Sequence, residues 1–553
     1  MKNNKIKVIA GLVCILIIAV SFHVAMNDMV YAQQAKNHTL RIATKHADSK
    51  TFDPHMAVQS QDRVIVGMIF NGLLRYPPGN LSTAIEPDLA TSIPVPKIQK
   101  DGTQDWIINL KKGVMTHPYE GNQGYELTSE DVVYSLKRAA DKSTSAYSAD
   151  YVGMTFAAID KYNVKISLAK PLSSYLFFPL ISNRGGGLIV SKKVLEEKGD
   201  KWFRANPIGT GPFAFQSYTP MEKVVLSAHR KYFRGEPKLD NVEFYYMQNL
   251  NSRELALQKG EVDVVFGPNE PTWKKKIEKM IPGVVVGIPS WGETILVHFN
   301  MTIKPLNILN VRKAIAYALD RKEYQTLYGE DLAEIIYSPV PESVGGITKE
   351  DLVKENLLYE HDISKAKELL TKAGYPQGFS LNVFTSENDS IKPAYELMQA
   401  SLKKIGITMN ISVEDHPSWH DRIRKNLDPI VIYVCQRPNP DAILSQFYYS
   451  KSIVATGERP VTNFSHIGAI DANGDGKIDS IDKYIEAAKN EIDVKKQEKL
   501  WNQAQIELLQ NMVAYPIIAI NSPFAWKSTV DWGYKIIADA DGLKATEKTR
   551  ILK

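Results

Sequence analysis

Five carboxylate or amide side chains recur at short intervals in Asp471-Ala472-Asn473-Gly474-Asp475-Gly476-Lys477-Ile478-Asp479-Ser480-Ile481-Asp482. Counted from Asp471, the residues Asp471, Asn473, Asp475, Asp479 and Asp482 stand at positions 1, 3, 5, 9 and 12, with Gly476 at 6 and Ile478 at 8. Hard oxygens so spaced can surround one Ca²⁺. The Lys477 carbonyl is then a further donor, and a bidentate Asp482 or a water completes the shell. The expectation is one structural calcium site; the plainer alternative is an acidic, turn-rich loop. His416 and His420 are four apart, a spacing that can hold zinc or nickel on a helix. Pro417 and Trp419 intervene and no Glu follows His416, so the His-Glu-x-x-His pattern of a metalloprotease is absent. A surface or packing role is the reading taken, with a metal-chelate ligand kept in view. Gly209-Thr210-Gly211 lacks the Gly-x-x-x-x-Gly-Lys frame of a phosphate loop and reads as a tight turn whose glycines permit positive φ. No serine lies in a Gly-x-Ser-x-Gly elbow, and Cys435 has no nucleophile flank and reads as a small buried apolar residue.

The frame that must position these residues is large. The chain has 553 residues, beyond what one core of about 250–300 residues can serve, so at least two domains are expected. Residues 1–32 read as a secretion signal: Lys2, Lys5 and Lys7, an apolar run from Val8 to Val20, and small residues at the cleavage point after Ala32. The alternative is an uncleaved N-terminal anchor. Val13 before Cys14 speaks against a lipoprotein signal. Cleavage removes three Lys and one Asp, taking the net charge from +5 to +3, too weak and dispersed for a nucleic-acid partner. It also leaves Cys435 as the single cysteine, which excludes an internal disulfide.

Alternation predicts strands at 38–46, 106–110, 164–168, 224–228, 242–246, 262–266, 295–299, 381–384, 408–413 and 431–434. Helical spacing predicts helices over 62–74, 311–327, 364–373, 391–405 and 494–511. Thr128-Ser129-Glu130-Asp131 reads as an N-cap with acids in the first turn, Gly374 as a helix stop, and Pro393 as a first-turn proline. Strands and helices alternate throughout, which argues an α/β class with mixed sheets.

Several segments, in order, resemble the extracellular solute-binding proteins of family 5, the peptide and nickel type. They are Thr51-Phe52-Asp53-Pro54-His55, Asn71-Gly72-Leu73-Leu74, Pro87-Asp88-Leu89-Ala90, the helix entry Leu127 to Ser135 and Asn206-Pro207-Ile208-Gly209-Thr210-Gly211-Pro212-Phe213. Leu257-x-x-Gly260-Glu261-x-Asp263, Val311-Arg312 with Asp320-Arg321, and Ala366 to Gly374 continue the series. The resemblance covers roughly residues 38–545. It implies a two-lobed periplasmic-binding-protein-like fold of class II with an extra subdomain on lobe I. Lobe I is expected from 38–65, 205–290 and 512–550, the subdomain from 66–204, and lobe II from 291–511. The loop 471–482 is an insertion into that pattern; it resembles an EF-hand loop, with Asp482 in place of the usual Glu as in dockerin-like loops.

The resemblance also implies the role: the substrate-binding component of an ABC importer, a monomer that takes a peptide or related small solute and delivers it to a membrane permease driven by a separate ATPase. It would be periplasmic or extracellular and reach the membrane through the transporter. A nickel chelate, an opine or an oligosaccharide are alternative ligands on the same fold. A secreted hydrolase is the reading of another class, and no catalytic motif supports it. In dipeptide binders a lobe II loop carries an acid for the ligand's ammonium group. Here that stretch is Cys435 to Asp441, in which Asn439 replaces the first Asp, Asp441 keeps the second, and Arg437 is a cation suited to a carboxylate. Trp291 and Glu293, where the chain passes between lobes, and Trp419 complete the expected ligand-binding set.

Overall fold

The computed structural model describes residues 38–552 apart from 82–84, 291, 389–390, 458–461 and 539–541. The expected signal 1–32 and Trp291 therefore lie outside the described residues.

The alternating residues at the start form the strand Thr39–Thr44, the middle of a seven-stranded sheet. Its neighbours, Asn241–Tyr246 and Val264–Phe266, both run parallel to it, and the remaining pairs are antiparallel. Alternation decides which core each residue enters. Leu40 and Ile42 face a core shared with the helix Ser60–Ile69, and Ala43 faces a second core with Trp273 and Ile277. A second, antiparallel sheet runs in the order Ala333–Ile335, Ala514–Ile520, Glu293–Phe299, Ile430–Cys435. It shares one large core with a parallel pair, Ser380–Ser386 and Thr408–Glu414, and with the helices around them. A third core, Leu73 to Ile189, surrounds the sheet Pro96–Ile98, Gln104–Asn109, Asn163–Leu168, Met154–Asp160; in it Trp106 stacks on Phe177 at 4.4 Å.

These cores move three expected boundaries. The strand Ala514–Ile520 pairs inside the second sheet, so lobe II continues past residue 511 and only the chain from Phe524 returns to the first sheet. The helix Ser60–Ile69 and residues Val190 to Phe203 pack in the lobe I core, which narrows the subdomain from 66–204. The subdomain also touches lobe II: Ser173 Oγ donates to Gln497 Oε1 at 2.7 Å, both buried, and the Tyr175 ring lies 5.4 Å from Trp501. The expected helix over 311–327 is two, Leu309–Ala318 and Arg321–Tyr328, because Asp320 caps a new start by accepting from the Lys322 amide. Thr128 opens its helix as expected, its amide donating to Asp131 at 2.9 Å.

The glycines of Gly209-Thr210-Gly211 are not at positive φ, contrary to the expectation. They are needed for close approach: a Cβ at Gly209 would lie 2.2 Å from the Ile69 carbonyl, and one at Gly211 2.3 Å from that of Met68. The segment is a seam between the Ser60–Ile69 helix end and the sheet, and Thr210 donates to Asn71.

The opening loop is an ionic anchor. Arg138, from the subdomain helix Ser129–Ala139, grips buried Asp53 through both carboxylate oxygens at 3.0 and 2.6 Å and also reaches Asp200 at 2.6 Å. His55 accepts from Arg138 and donates to the Leu188 carbonyl; burial, then Arg138, push its pKa down to about 4, so it is neutral. Removing one member of a buried pair strands the other. Arg138→Leu is therefore expected to destabilise the protein by about 3–5 kcal/mol, read as a lower denaturant midpoint. A loss below about 1 kcal/mol would show that the anchor carries no stability.

Candidate functional site

The chain crosses between the two large sheets twice, side by side. Gly287 pairs with Phe524 at the end of the first sheet, and Glu293 pairs with Ile520 at the end of the second. Both crossings therefore occur at one place. They touch: a Cβ at Gly292 would lie 1.8 Å from the Ile520 carbonyl oxygen, so only glycine fits. Beside them Ser290 donates its amide to Ile537, and Ala538 accepts from Leu81 of the subdomain.

A cavity of about 240 Å³ opens at these crossings. Lobe I contributes Lys45, His46 and Arg63; the far side contributes Glu293 and Gln436, and Ser522 belongs to the second crossing. The fold dictates this place. Lys45 and His46 follow the carboxyl end of Thr39–Thr44, from which parallel strands depart on both sides. At such a switch point the connections diverge and leave a crevice. Phe266, at the carboxyl end of the neighbouring strand, sets its ring 6.5 Å from His46. Arg63 projects from the helix Ser60–Ile69.

The electrostatics are lopsided. Burial lowers the Lys45 pKa, Glu293 opposes the shift and Arg253 adds to it. Burial, then Lys45 and Arg253, bring His46 down to about 4, so at neutral pH it is an uncharged hydrogen-bonding ring. Arg253 lies behind the cavity wall, donating to the carbonyls of Phe266, Met247 and Gln248 at 3.0, 2.6 and 2.8 Å. A larger hollow, about 580 Å³ around Phe52, Lys201, Arg204 and Tyr218, is lined by lobe I and helix 192–205 alone. No lobe movement can close it over a solute.

Of the expected cleft residues, Glu293 lines the cavity. Trp419 does not: it is fully buried in the lobe II core, its indole donating to the Phe384 carbonyl and its ring parallel to His416. Asn439 accepts from the Ala442 amide at 2.8 Å, capping the helix Pro440–Phe447. Asp441 lies in the first turn of that helix, half-buried, accepting from Ser445; burial raises its pKa, and Lys489 opposes. Arg437 donates to Gln446 at 2.5 Å and lies over the Phe447 ring. Of the stretch Cys435 to Asp441, the residue that lines the cavity is Gln436. Reading from composition and spacing missed Lys45, His46, Arg63 and Gln436. The signal that marks the first two is their position just after the central strand.

The remaining chemistry-bearing residues are accounted for structurally. His416 and His420 bring their Nε2 atoms to 3.1 Å; Ser386 and Arg424 bond the outer nitrogens. Arg424 can only donate, so His420 presents Nε2–H to His416, which in turn donates to Ser386. Cys435 is buried, and burial raises its thiol pKa, which keeps it protonated. In the loop 471–482, Gly474 and Gly476 both take φ 86° as a sharp turn requires. Asp471 accepts from the amides of Gly474, Asp475 and Gly476, and Asp479 from those of Ala472 and Asn473. Asp475 accepts from Lys477, and Asp482 from Ser450 as it opens the helix Asp482–Asn490. Among the described residues no three His, Cys, Asp or Glu side chains converge as metal ligands.

Comparison with known proteins agrees with this architecture. Heme-binding protein A of Haemophilus influenzae is 24% identical over 531 residues, covering 91% of each chain. The solved structure of MoaA from A. tumefaciens R10, in complex with mannopinic acid, is 32% identical with a TM-score of 0.71, covering 94% of this chain and all of that one. DppA of Helicobacter pylori, solved with the peptide STSA, is 27% identical with a TM-score of 0.70 and covers 94% of this chain and 100% of its own. The model of the bacterial extracellular solute-binding proteins, family 5 Middle, matches residues 84–454. The chain belongs to that family: it is a two-lobed solute-binding protein, not an enzyme.

Proposed function

We propose that the protein captures a small solute in the cavity at the paired crossings, closes its lobes over it and presents the closed form to the permease of an ABC importer. One observation carries this reading: the cavity is lined from both lobes and lies where the chain crosses between them. Rotation about two short antiparallel segments changes the width of that space while leaving each core intact, as in hinge closure around a ligand. Energy for uptake comes from a separate ATPase. Peptides, the kind of ligand solved with H. pylori DppA, and opines, the kind solved with MoaA, are the leading classes. Export by residues 1–32 and action as a monomer belong to the same proposal. Among the described residues no helix is long and apolar enough to cross a membrane.

The test is a screen of peptide, opine, chelate and sugar pools by melting temperature, since a ligand that binds only the native state raises it. Small-angle scattering follows with the tightest hit. The radius of gyration is expected to fall at saturation, and an unchanged radius sinks closure. Gly292→Ala forces the crossings apart and is expected to weaken that ligand by about tenfold, roughly 1.4 kcal/mol of bias against the closed form. Affinity equal to wild type would show that the contact at Gly292 does not set the hinge.

We also propose that the loop Asp471–Asp482 takes one Ca²⁺ as a structural ion, remote from the solute. The oxygen spacing and the two left-handed glycines support it. The amide bonds to Asp471 and Asp479 hold the loop curled. Calorimetry on chelator-stripped protein is expected to show one calcium site that Asp471→Ala with Asp475→Ala abolishes. No heat in the wild type, or the same heat in the double variant, defeats it.

A further inference from the structure

We infer that the loop 471–482 carries a self-modifying site at Asn473. The Gly474 amide nitrogen attacks the Asn473 side-chain carbonyl, ammonia leaves, and water opens the resulting cyclic imide to an aspartyl or isoaspartyl residue. The reaction needs only the loop's own groups and water, whether or not the loop takes an ion.

Asparagine is a thermolabile residue, and a following glycine leaves the attacking nitrogen unhindered. Asn-Gly occurs twice in the chain, at Asn71-Gly72 and at Asn473-Gly474. The first pair is shut away. Asn71 is buried, its amide donates to Asp88 at 2.9 Å and to Tyr232 at 3.2 Å, and its carbonyl accepts from Thr210. Gly72 is pressed against the backbone of Ser182, where a Cβ would lie 2.3 Å from the carbonyl carbon. The second pair is exposed at both residues, and a Cβ at Gly474 would meet nothing within 4 Å. Around that pair the loop sets a group wherever charge or a proton must move. The Gly474 N–H donates to Asp471 Oδ1 at 2.6 Å, so a carboxylate faces the proton that the nitrogen loses as its bond to Cγ forms. The Asn473 carbonyl oxygen accepts from the Asp475 amide at 2.9 Å, a donor aimed at the oxygen that gathers negative charge in the tetrahedral intermediate. The leaving Nδ2 donates to Asp479 Oδ1 at 3.1 Å. The proton taken by Asp471 passes to Nδ2, the Cγ–Nδ2 bond breaks, and neutral ammonia departs; one water then opens the imide. Asp475-Gly476 repeats the pattern, with the Gly476 N–H on Asp471 at 2.8 Å and the Lys477 N–H on Asp475 at 2.9 Å. Its side chain is a carboxylate, a far poorer electrophile than an amide, so Asn473 reacts first. Either product trades the Nδ2 donor to Asp479 for a new carboxylate in the loop, and the isoaspartyl form also lengthens the backbone by one carbon. That strains the amide bonds from Ala472 and Asn473 to Asp479, beside the Ala472 carbonyl that Arg312 holds.

The experiment is peptide mapping by mass spectrometry on the purified protein aged in chelator at mildly alkaline pH, with a synthetic peptide of residues 470–478 as the clock. Conversion is expected at Asn473 and not at Asn71, with aspartyl and isoaspartyl products both in the map, before Asp475-Gly476 isomerises. Asp471→Ala is expected to slow conversion by about tenfold, with Asp471→Glu restoring part of the rate. Asn473→Gln, whose ring would be larger, is expected to abolish it. The aged protein is expected to melt below fresh Asn473→Asp, which carries the acid product without the extra backbone carbon. The melting temperature of each fresh variant checks its fold. No conversion at Asn473 while the peptide converts fully, conversion at Asn71 as fast as at Asn473, or an Asp471→Ala rate equal to wild type overturns the inference.

Discussion

The capture proposed above depends on the contact between Gly292 and the Ile520 carbonyl, where two chain crossings lie so close that no side chain fits between them. A single crossing would let the lobes swivel in any direction. Two crossings bound side by side, each held at both ends by sheet pairing, restrict relative rotation of the lobes more than one crossing would, and the Ser173–Gln497 bond ties the subdomain to lobe II as well. The geometry of capture is thus set by backbone pairing and one glycine, and the side chains of the cleft are free to specialise for the ligand.

For that motion to be useful each side must move as a body. On lobe I the Arg138 anchor binds the subdomain helix to the opening loop, so the third core follows the first sheet. On lobe II two buried arginines do comparable work. Arg312 donates to the carbonyls of Leu306, Asn511, Met512 and Ala472, and Arg321 to those of Pro516, Leu358 and Tyr359. Burial brings the Arg312 pKa down to about 10, still far above neutrality, so it remains a cation solvated by peptide dipoles. Replacing water by fixed carbonyls keeps a buried charge affordable and locks several segments to one point.

That explains what the sequence disclosed and what it withheld. The ordered motifs around Asp53, Gly209-Thr210-Gly211, Arg312 and Arg321 were legible because they solve packing problems common to the scaffold: an ionic anchor, a seam without side chains, two carbonyl clamps. The alternation of Thr39–Thr44, the cap at Thr128 and the helix stop at Gly374 were legible because they are local. The cavity was not, beyond Glu293. Lys45 and Arg63 lie 18 positions apart, on a strand end and a helix, and nothing in their spacing announces a common wall. Trp419 was misplaced for the opposite reason: a tryptophan near a suspected binding loop looks available in one dimension, whereas the helix His416–Arg424 turns it into the core. Asn439 stands where a ligand-binding acid is expected, and its side chain is spent on capping a helix.

The loop at 471–482 is attached to this framework. Ala472 is buried, and its carbonyl is one of the acceptors of Arg312; Asn511, at the end of the helix Val494–Gln510, donates to Asp479. The loop therefore hangs on the same clamp that holds the first helix of lobe II, directly before the strand Ala514–Ile520 that leads into the crossing. None of its residues lines the cavity at the crossings. Its attachment means that the order of this loop and the rigidity of lobe II are one property, because the carbonyls that solvate Arg312 must stay in place together for the charge to remain buried.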